Sequence, residues 1–292
     1  MKKVINIKKL SEIVDQYEIF IIDQWGVIHD GIKGYSFAIE CIKKLLLLNK
    51  KLIIISNSSK RKQQTVERLP KLGFKKNSFA EVMTSGEIVW QNLYKKKNKL
   101  FKDLGNNCYH LSDKTSKDSL KFIDGLNYNF IQNIEEADFI LGCTTIPGYK
   151  VLDYVPILEK AIEKKIPFIC ANPDYETVES TSKNLIICMG TVAELYKDIG
   201  GEVHIMGKPS IEIYKKSMKR FQDFSKKKIL AIGDSIHHDI KGAKNFGIDS
   251  LLITSGIHKS IFDQHNPFWD EHITYLSKFN FKPTYLSSKL QF

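Results

Sequence analysis

A chain of 292 residues exceeds the usual size of one compact domain, and 42% apolar with 26% charged residues is ordinary globular usage, which excludes a disordered or collagen-like polypeptide and favours two domains. Forty-four Lys and Arg against 33 Asp and Glu leave +11, yet the lysines fall in short scattered runs such as Lys95-Lys96-Lys97 and Lys226-Lys227-Lys228, without interleaved aromatics, so no nucleic-acid partner is expected. Five cysteines without a Cys-x-x-Cys pair, no signal-peptide core after Met1-Lys2-Lys3 and no apolar stretch of the roughly 20 residues a bilayer requires point to a soluble, cytoplasmic protein with no membrane partner.

In chain order, the apolar run of residues 17–23 reads as a buried strand ending in Asp23, with a turn at Trp25-Gly26-Val27. Apolar positions at helical spacing over 36–49 predict a helix, and Lys51 to Ile55 a second strand that stops at Ser56-Asn57-Ser58-Ser59. Strand, helix and strand together predict a parallel βαβ unit. A helix over 60–72 ends at Gly73, and a short strand runs to Thr84-Ser85. In a doubly wound sheet these polar strand ends lie along one edge, where ligands bind.

The middle of the chain starts again, with a strand from Asp138 to Cys143, a helix over 149–164 and a strand from Ile166 to Cys170 closed by Asn172-Pro173-Asp174. Residues 87–186 are therefore expected to form a second α/β unit inserted into a core of 1–86 and 187–292. A helix over 191–199, the loop Met206-Gly207-Lys208-Pro209, a helix over 210–222 and the strand from Lys228 to Ile232 follow, the last running into Gly233-Asp234-Ser235.

Asp23 and Asp234, remote in sequence, meet at one edge of a parallel sheet. Two carboxylates there suit magnesium, which takes a few carboxylate oxygens, waters and a substrate phosphate. Without such a cation, an anionic nucleophile and an anionic ester repel. Ser56 and Asn57 offer a hydroxyl and an amide to phosphoryl oxygens, Lys208 a point charge, and Asp239 a carboxylate for Lys208 or for a metal-bound water. The pair His237-His238 lacks a third ligand for a transition metal.

The segments Asp23-Gln24-Trp25-Gly26-Val27, Ser56-Asn57, Lys208 and Gly233-Asp234-Ser235 with Asp239 resemble the four motifs of haloacid dehalogenase-like (HAD) hydrolases. Gly207-Lys208-Pro209-Ser210, Asn172-Pro173-Asp174 and the place of the insert are similar to the class IIA branch, which includes NagD-type and para-nitrophenyl phosphatases. The resemblance implies a Rossmann-like doubly wound parallel core sheet with an inserted α/β cap domain. It also implies attack by Asp23, an aspartyl-phosphate intermediate, and Mg2+ held by Asp23, the backbone carbonyl of Trp25 and Asp234. The cap usually supplies selectivity in that branch, which makes Asn172 and Asp174 candidate substrate contacts. Caps there often contribute to dimers, so a homodimer is compatible with it.

One position departs from the family. Its first motif normally carries a second Asp, which protonates the leaving oxygen and activates water. This chain has Trp25 there, whose indole does neither. Three readings are open: His29 or Asp30 substitutes as acid and base; the substrates are aryl or acyl phosphates that leave without protonation; or the chain binds a phosphorylated ligand as a sensor or scaffold. The expected function is a magnesium-dependent phosphatase acting on a small phosphorylated metabolite, whose identity the cap residues do not reveal.

Overall fold

The run Ile19-Phe20-Ile21-Ile22 is apolar at every position because it faces protein on both sides. In the computed structural model, which describes residues 4–177, 186–262 and 274–292, it forms strand β2 (Ile19–Ile22) at the centre of a sheet. Phe20 and Ile22 point into one apolar cluster, Ile19 and Ile21 into another. The neighbouring strand β3 (Lys51–Ser56) divides in the same way, Leu52 and Ile54 to the first cluster, Ile53 and Ile55 to the second. This period-two division of a continuous apolar run marks a parallel sheet covered on both faces.

The first face is covered by helix Ser36–Leu47, whose Ala38, Cys41, Ile42 and Leu45 recur at helical spacing and join that cluster. The full sheet adds β1 (Ile5–Asn6), β4 (Glu81–Thr84), β12 (Ile229–Gly233), β13 (Asp249–Ile253) and β14 (Tyr285–Ser287) in the order β1-β14-β13-β12-β2-β3-β4, every pair parallel. The chain leaves β2 toward β3 and β4, and leaves β12 toward β13 and β14. The strand order therefore reverses between β2 and β12, and the crevice at their carboxyl ends is where α/β sheets bind ligands.

A second parallel sheet belongs to the insert. It is built from β5 (Asn107–Leu111), β6 (Asn129–Ile131), β7 (Phe139–Gly142), β8 (Phe168–Cys170) and β11 (Val203–Ile205), in the order β11-β8-β7-β5-β6. Strands β9 (Glu176–Thr177) and β10 (Ile186–Ile187) form a separate antiparallel pair. Phe139 and Leu141 of β7 share a cluster with Ile21 and Ile53 of the core sheet, so apolar packing is continuous between the two layers. The fold is the expected doubly wound α/β core with an additional α/β cap.

The expected return to the core at 187 is corrected. β11 pairs with β8, and helix Met189–Asp198 packs its Met189, Val192 and Ala193 against Phe168 and Cys170, so the chain stays with the cap sheet through Ile205. Val203-His204-Ile205 is three half-buried residues, too short a run to read as a strand. Part of the expected insert, 178–185, lies outside the described residues. Among the described residues no helix is long and apolar enough to cross a membrane.

Candidate active site

The two strand-terminal acids meet at the reversal point. Ile22 of β2 pairs with Ile232 of β12, and the Asp23 amide donates to the Ile232 carbonyl at 2.9 Å, which sets Asp23 beside the end of β12 and hence beside Asp234. Asp23, Asp234 and Asp239 bring one carboxylate oxygen each within 4.8 Å of one another. Asp239 comes from the turn of helix Ile236–Ile240. Ser235 caps that helix through its hydroxyl, and the Ser235 amide donates to Asp239 Oδ2 at 3.1 Å. Gly26 is required beside them: its φ is +72°, and a Cβ there would lie 2.0 Å from Asp234 Oδ2.

Lys208 is buried at the centre of this group. Its Nζ lies 2.6 Å from Asp23 Oδ1 and 2.7 Å from Asp239 Oδ1. Burial works against its charge, but Asp23 and Asp239 outweigh it and raise its pKa well above the usual lysine value. Burial pushes the Asp23 pKa up to about 7 against the pull of Lys208, and burial with the neighbouring Asp23 and Asp239 charges raises Asp234 well above the carboxylate range. When all three acids are ionised, three carboxylates facing one ammonium leave an excess of two negative charges; the raised Asp23 and Asp234 pKa values express that crowding, and one hard divalent cation would relieve it with oxygen donors of the kind magnesium takes.

Of the two candidate phosphate donors at the end of β3, one has its donors engaged elsewhere. Ser56 Oγ accepts from the Ser58 amide at 3.3 Å, which leaves its own hydrogen for an anion. The Asn57 amide group is fully engaged: Oδ1 accepts from the Lys208 amide at 2.7 Å, and Nδ2 donates to the Lys208 carbonyl at 3.1 Å and to Asp174 Oδ1 at 2.8 Å. The expectation that this side chain donates to phosphate is therefore corrected; it pins the backbone of Lys208. Replacing Asn57 with Ala removes all three bonds and is expected to lower kcat/KM by about ten- to a hundredfold with the circular dichroism unchanged, as measured by steady-state kinetics beside spectra.

The cap reaches the site through Asn172-Pro173-Asp174. Asn172 Oδ1 takes the Asp174 amide at 3.4 Å and serves the turn, whereas Asp174 spans to Asn57. Asp174 Oδ1 is also 3.4 Å from His238 Nδ1. Burial, followed by the Lys208 charge, drives the His238 pKa down to about 3, so that contact is polar rather than ionic. The cap's Tyr175 ring closes edge-on over His238 at 4.9 Å. The sequence singles out Ser235 and the pair His237-His238, but not the bond of Ser235 to Asp239, the contact of His238 with Asp174 or the presence of Tyr175.

The proposed substitute acids are not brought to the cluster. His29 is buried, its Nδ1 accepts from the Gly31 amide at 3.0 Å, and burial, with Arg68 second, lowers its pKa to about 3. Burial alone would raise the Asp30 pKa, but the backbone amides of Lys33 and Ile32, which donate to Oδ1 at 2.8 and 2.9 Å, outweigh it and lower the value. Both residues hold the turn. Trp25 lies against the same turn: its ring meets His29 at 5.1 Å and packs where a Cβ on Gly31 would stand 2.2 Å from it, and the Arg68 guanidinium sits 5.6 Å over it.

Comparison with known proteins places the chain among relatives of known family and fold. Residues 20–124 match the family described as haloacid dehalogenase-like hydrolase, and residues 205–290 match a second, HAD-hydrolase-like family. The chain belongs to the haloacid dehalogenase-like hydrolases. Several solved structures of nitrophenyl phosphatases share its fold. A haloacid dehalogenase-like hydrolase from Brucella suis 1330 superposes with a TM-score of 0.81 at 25% identity, over 97% of this chain and 99% of that one. The p-nitrophenyl phosphatase of Archaeoglobus fulgidus shares the fold, with a TM-score of 0.68 at 18% identity, over 94% and 97% of the two chains. Dihydroxyacetone phosphatase from Corynebacterium glutamicum (strain R) is 27% identical over 107 residues, 36% of this chain and 38% of its own length.

Proposed function

We propose that this chain is a magnesium-dependent phosphatase that acts on small phosphorylated metabolites with good leaving groups, through an aspartyl-phosphate on Asp23. The observation that carries the reading is Lys208 held between Asp23 and Asp239, beside Asp234 at the point of strand reversal. The phosphatase names of relatives support it.

One Asp23 oxygen accepts from Lys208, and the other attacks phosphorus. The bond from phosphorus to the leaving oxygen breaks, and its electron pair departs on that oxygen. Water then attacks the phosphorus of the aspartyl-phosphate, the bond from phosphorus to the Asp23 oxygen breaks with its electron pair returning to the carboxylate, and inorganic phosphate leaves with both protons of the water. Lys208 and the Ser56 hydroxyl hold the phosphoryl oxygens throughout. Asp23, Asp234 and the Trp25 carbonyl would hold magnesium, which supplies charge neutralisation for phosphate when bound.

The leaving oxygen receives no proton from position 25. Aryl oxides and carboxylates depart without one, and alkoxides do not. Aryl and acyl phosphates are thus the favoured substrates, and simple alkyl phosphates poor ones. A magnesium-supplemented screen across the three types tests this; equal turnover of all three would sink the leaving-group preference. EDTA is expected to abolish turnover, excess magnesium to restore it, and magnesium to raise the thermal midpoint of the protein.

Trp25 also favours a second reading, a phospho-ligand sensor. Tight binding of a phosphate ester with no turnover of any type would select it.

A further inference from the structure

We infer that the crevice between core helix Lys62–Arg68 and cap helix Lys117–Ile123 takes a second anionic group of the substrate, a phosphate or a carboxylate carried by the leaving group. This rests on the phosphatase reading of Asp23.

The crevice encloses about 300 Å³, with Lys60, Arg68 and Lys71 on the core side and Lys121 on the cap side. Of the residues that line it, Glu67 and Asp118 oppose them, an excess of two positive charges. Lys60 is paired with Asp118 at 2.7 Å, which ties the loop after β3 to the cap. Glu67 is occupied by Gln63 Nε2 at 2.8 Å. Lys71 and Lys121 are exposed and neither forms a salt bridge within 4.0 Å among the described residues; Lys121 acts on Asp118 only at longer range, behind the Lys60 contact, so both keep ammonium hydrogens free for a ligand.

Two connections join this crevice to the reacting centre. Lys60 follows Ser56 and Asn57 on the same loop. Arg68 donates to the Gly31 carbonyl and rests over the Trp25 ring, two residues from Asp23. A substrate with its scissile phosphate at Asp23 can thus extend its leaving group past Trp25 into the cations. The residue that withholds a proton from the leaving group also seats the guanidinium at the mouth of this crevice. The inferred substrate class is a two-headed anion: a transferable phosphate on an aryl or acyl oxygen, and a second phosphate or carboxylate beyond it.

The test uses the full chain with magnesium and a matched series of aryl phosphates whose tethered tail is a carboxamide, a carboxylate or a phosphonate. Charged tails are expected to raise kcat/KM about tenfold over the amide at low salt, an advantage that shrinks at high salt. The ratio is expected to fall to about one in Lys71→Glu/Lys121→Glu and to persist in Lys71→Arg/Lys121→Arg, with thermal melting as the check on folding. Carboxylate against phosphonate distinguishes the two kinds of second group. Equal kcat/KM for all tails in the wild type, or an advantage that survives the charge reversal, would overturn the inference. Should no compound turn over, the phosphatase reading fails by itself, and calorimetric Kd values for the same compounds still decide the crevice by the same ratio.

Discussion

Asp23→Asn is expected to lower kcat by at least about 10⁴-fold, because a neutral amide neither attacks phosphorus nor forms the covalent intermediate. The fold has no reason to suffer. The Asp23 backbone is held by its amide bond to the Ile232 carbonyl, which the substitution leaves alone, and an Asn oxygen still accepts from Lys208. One of three crowded carboxylates also disappears. Burial and mutual repulsion raise the pKa values of Asp23 and Asp234 in the wild type, so the variant is expected to melt at or above the wild-type temperature without metal. Loss of rate with undiminished stability is the signature of a nucleophile. Retention of more than a hundredth of the wild-type rate would assign the attack to another group.

Trp25→Asp is the second large effect, and it has the opposite sign. Restoring a carboxyl at this position is expected to raise kcat/KM for alkyl phosphates by about 10²- to 10⁴-fold, the usual contribution of general acid–base catalysis, and to change kcat/KM for aryl and acyl phosphates little, because kcat/KM reports the first phosphoryl transfer and not the water step that all substrates share. The backbone carbonyl at position 25 is present in both forms. The cost falls on packing: the indole leaves His29 and the surface above Gly31, and Arg68 loses an aromatic seat, for about 2 kcal/mol of stability. Parallel kinetics on one alkyl and one aryl substrate read the effect as a ratio. Wild-type alkyl turnover equal to that of the variant would mean that some other group already supplies the proton.

The core was legible because its strands are buried on both faces and end abruptly in polar residues. Asp23, Ser56 and Asp234 each close a continuous apolar run, and parallel pairing puts such ends together. Asp239 reads from sequence as a partner either for Lys208 or for a metal-bound water, and the structure pairs it with Lys208. What the sequence does not display is the direction of side chains. Asn57 has the same composition whether its amide faces phosphate or the Lys208 backbone, and only the arrival of a chain segment 151 residues away decides it. His29 and Asp30 lie near Asp23 in sequence, but the turn they build takes both side chains. Gly256-Ile257 was missed too, although the Ile257 amide donates to Asp234 Oδ2 at 3.0 Å; the cue was a further apolar strand, β13, running into Thr254-Ser255-Gly256.

Lys208, the proposed phosphate-binding cation, stands three residues beyond Ile205, the last residue of cap strand β11, on the segment that leads back to the core. Any displacement of the cap sheet relative to the core must be absorbed by Met206 and Gly207, or it carries the ammonium with it. The Asn57 amide, bound at once to the Lys208 backbone and to Asp174 of the cap, works as a locking pin across that short leash. On the proposed reading, a cap displacement that admitted substrate would also withdraw the charge that grips its phosphate.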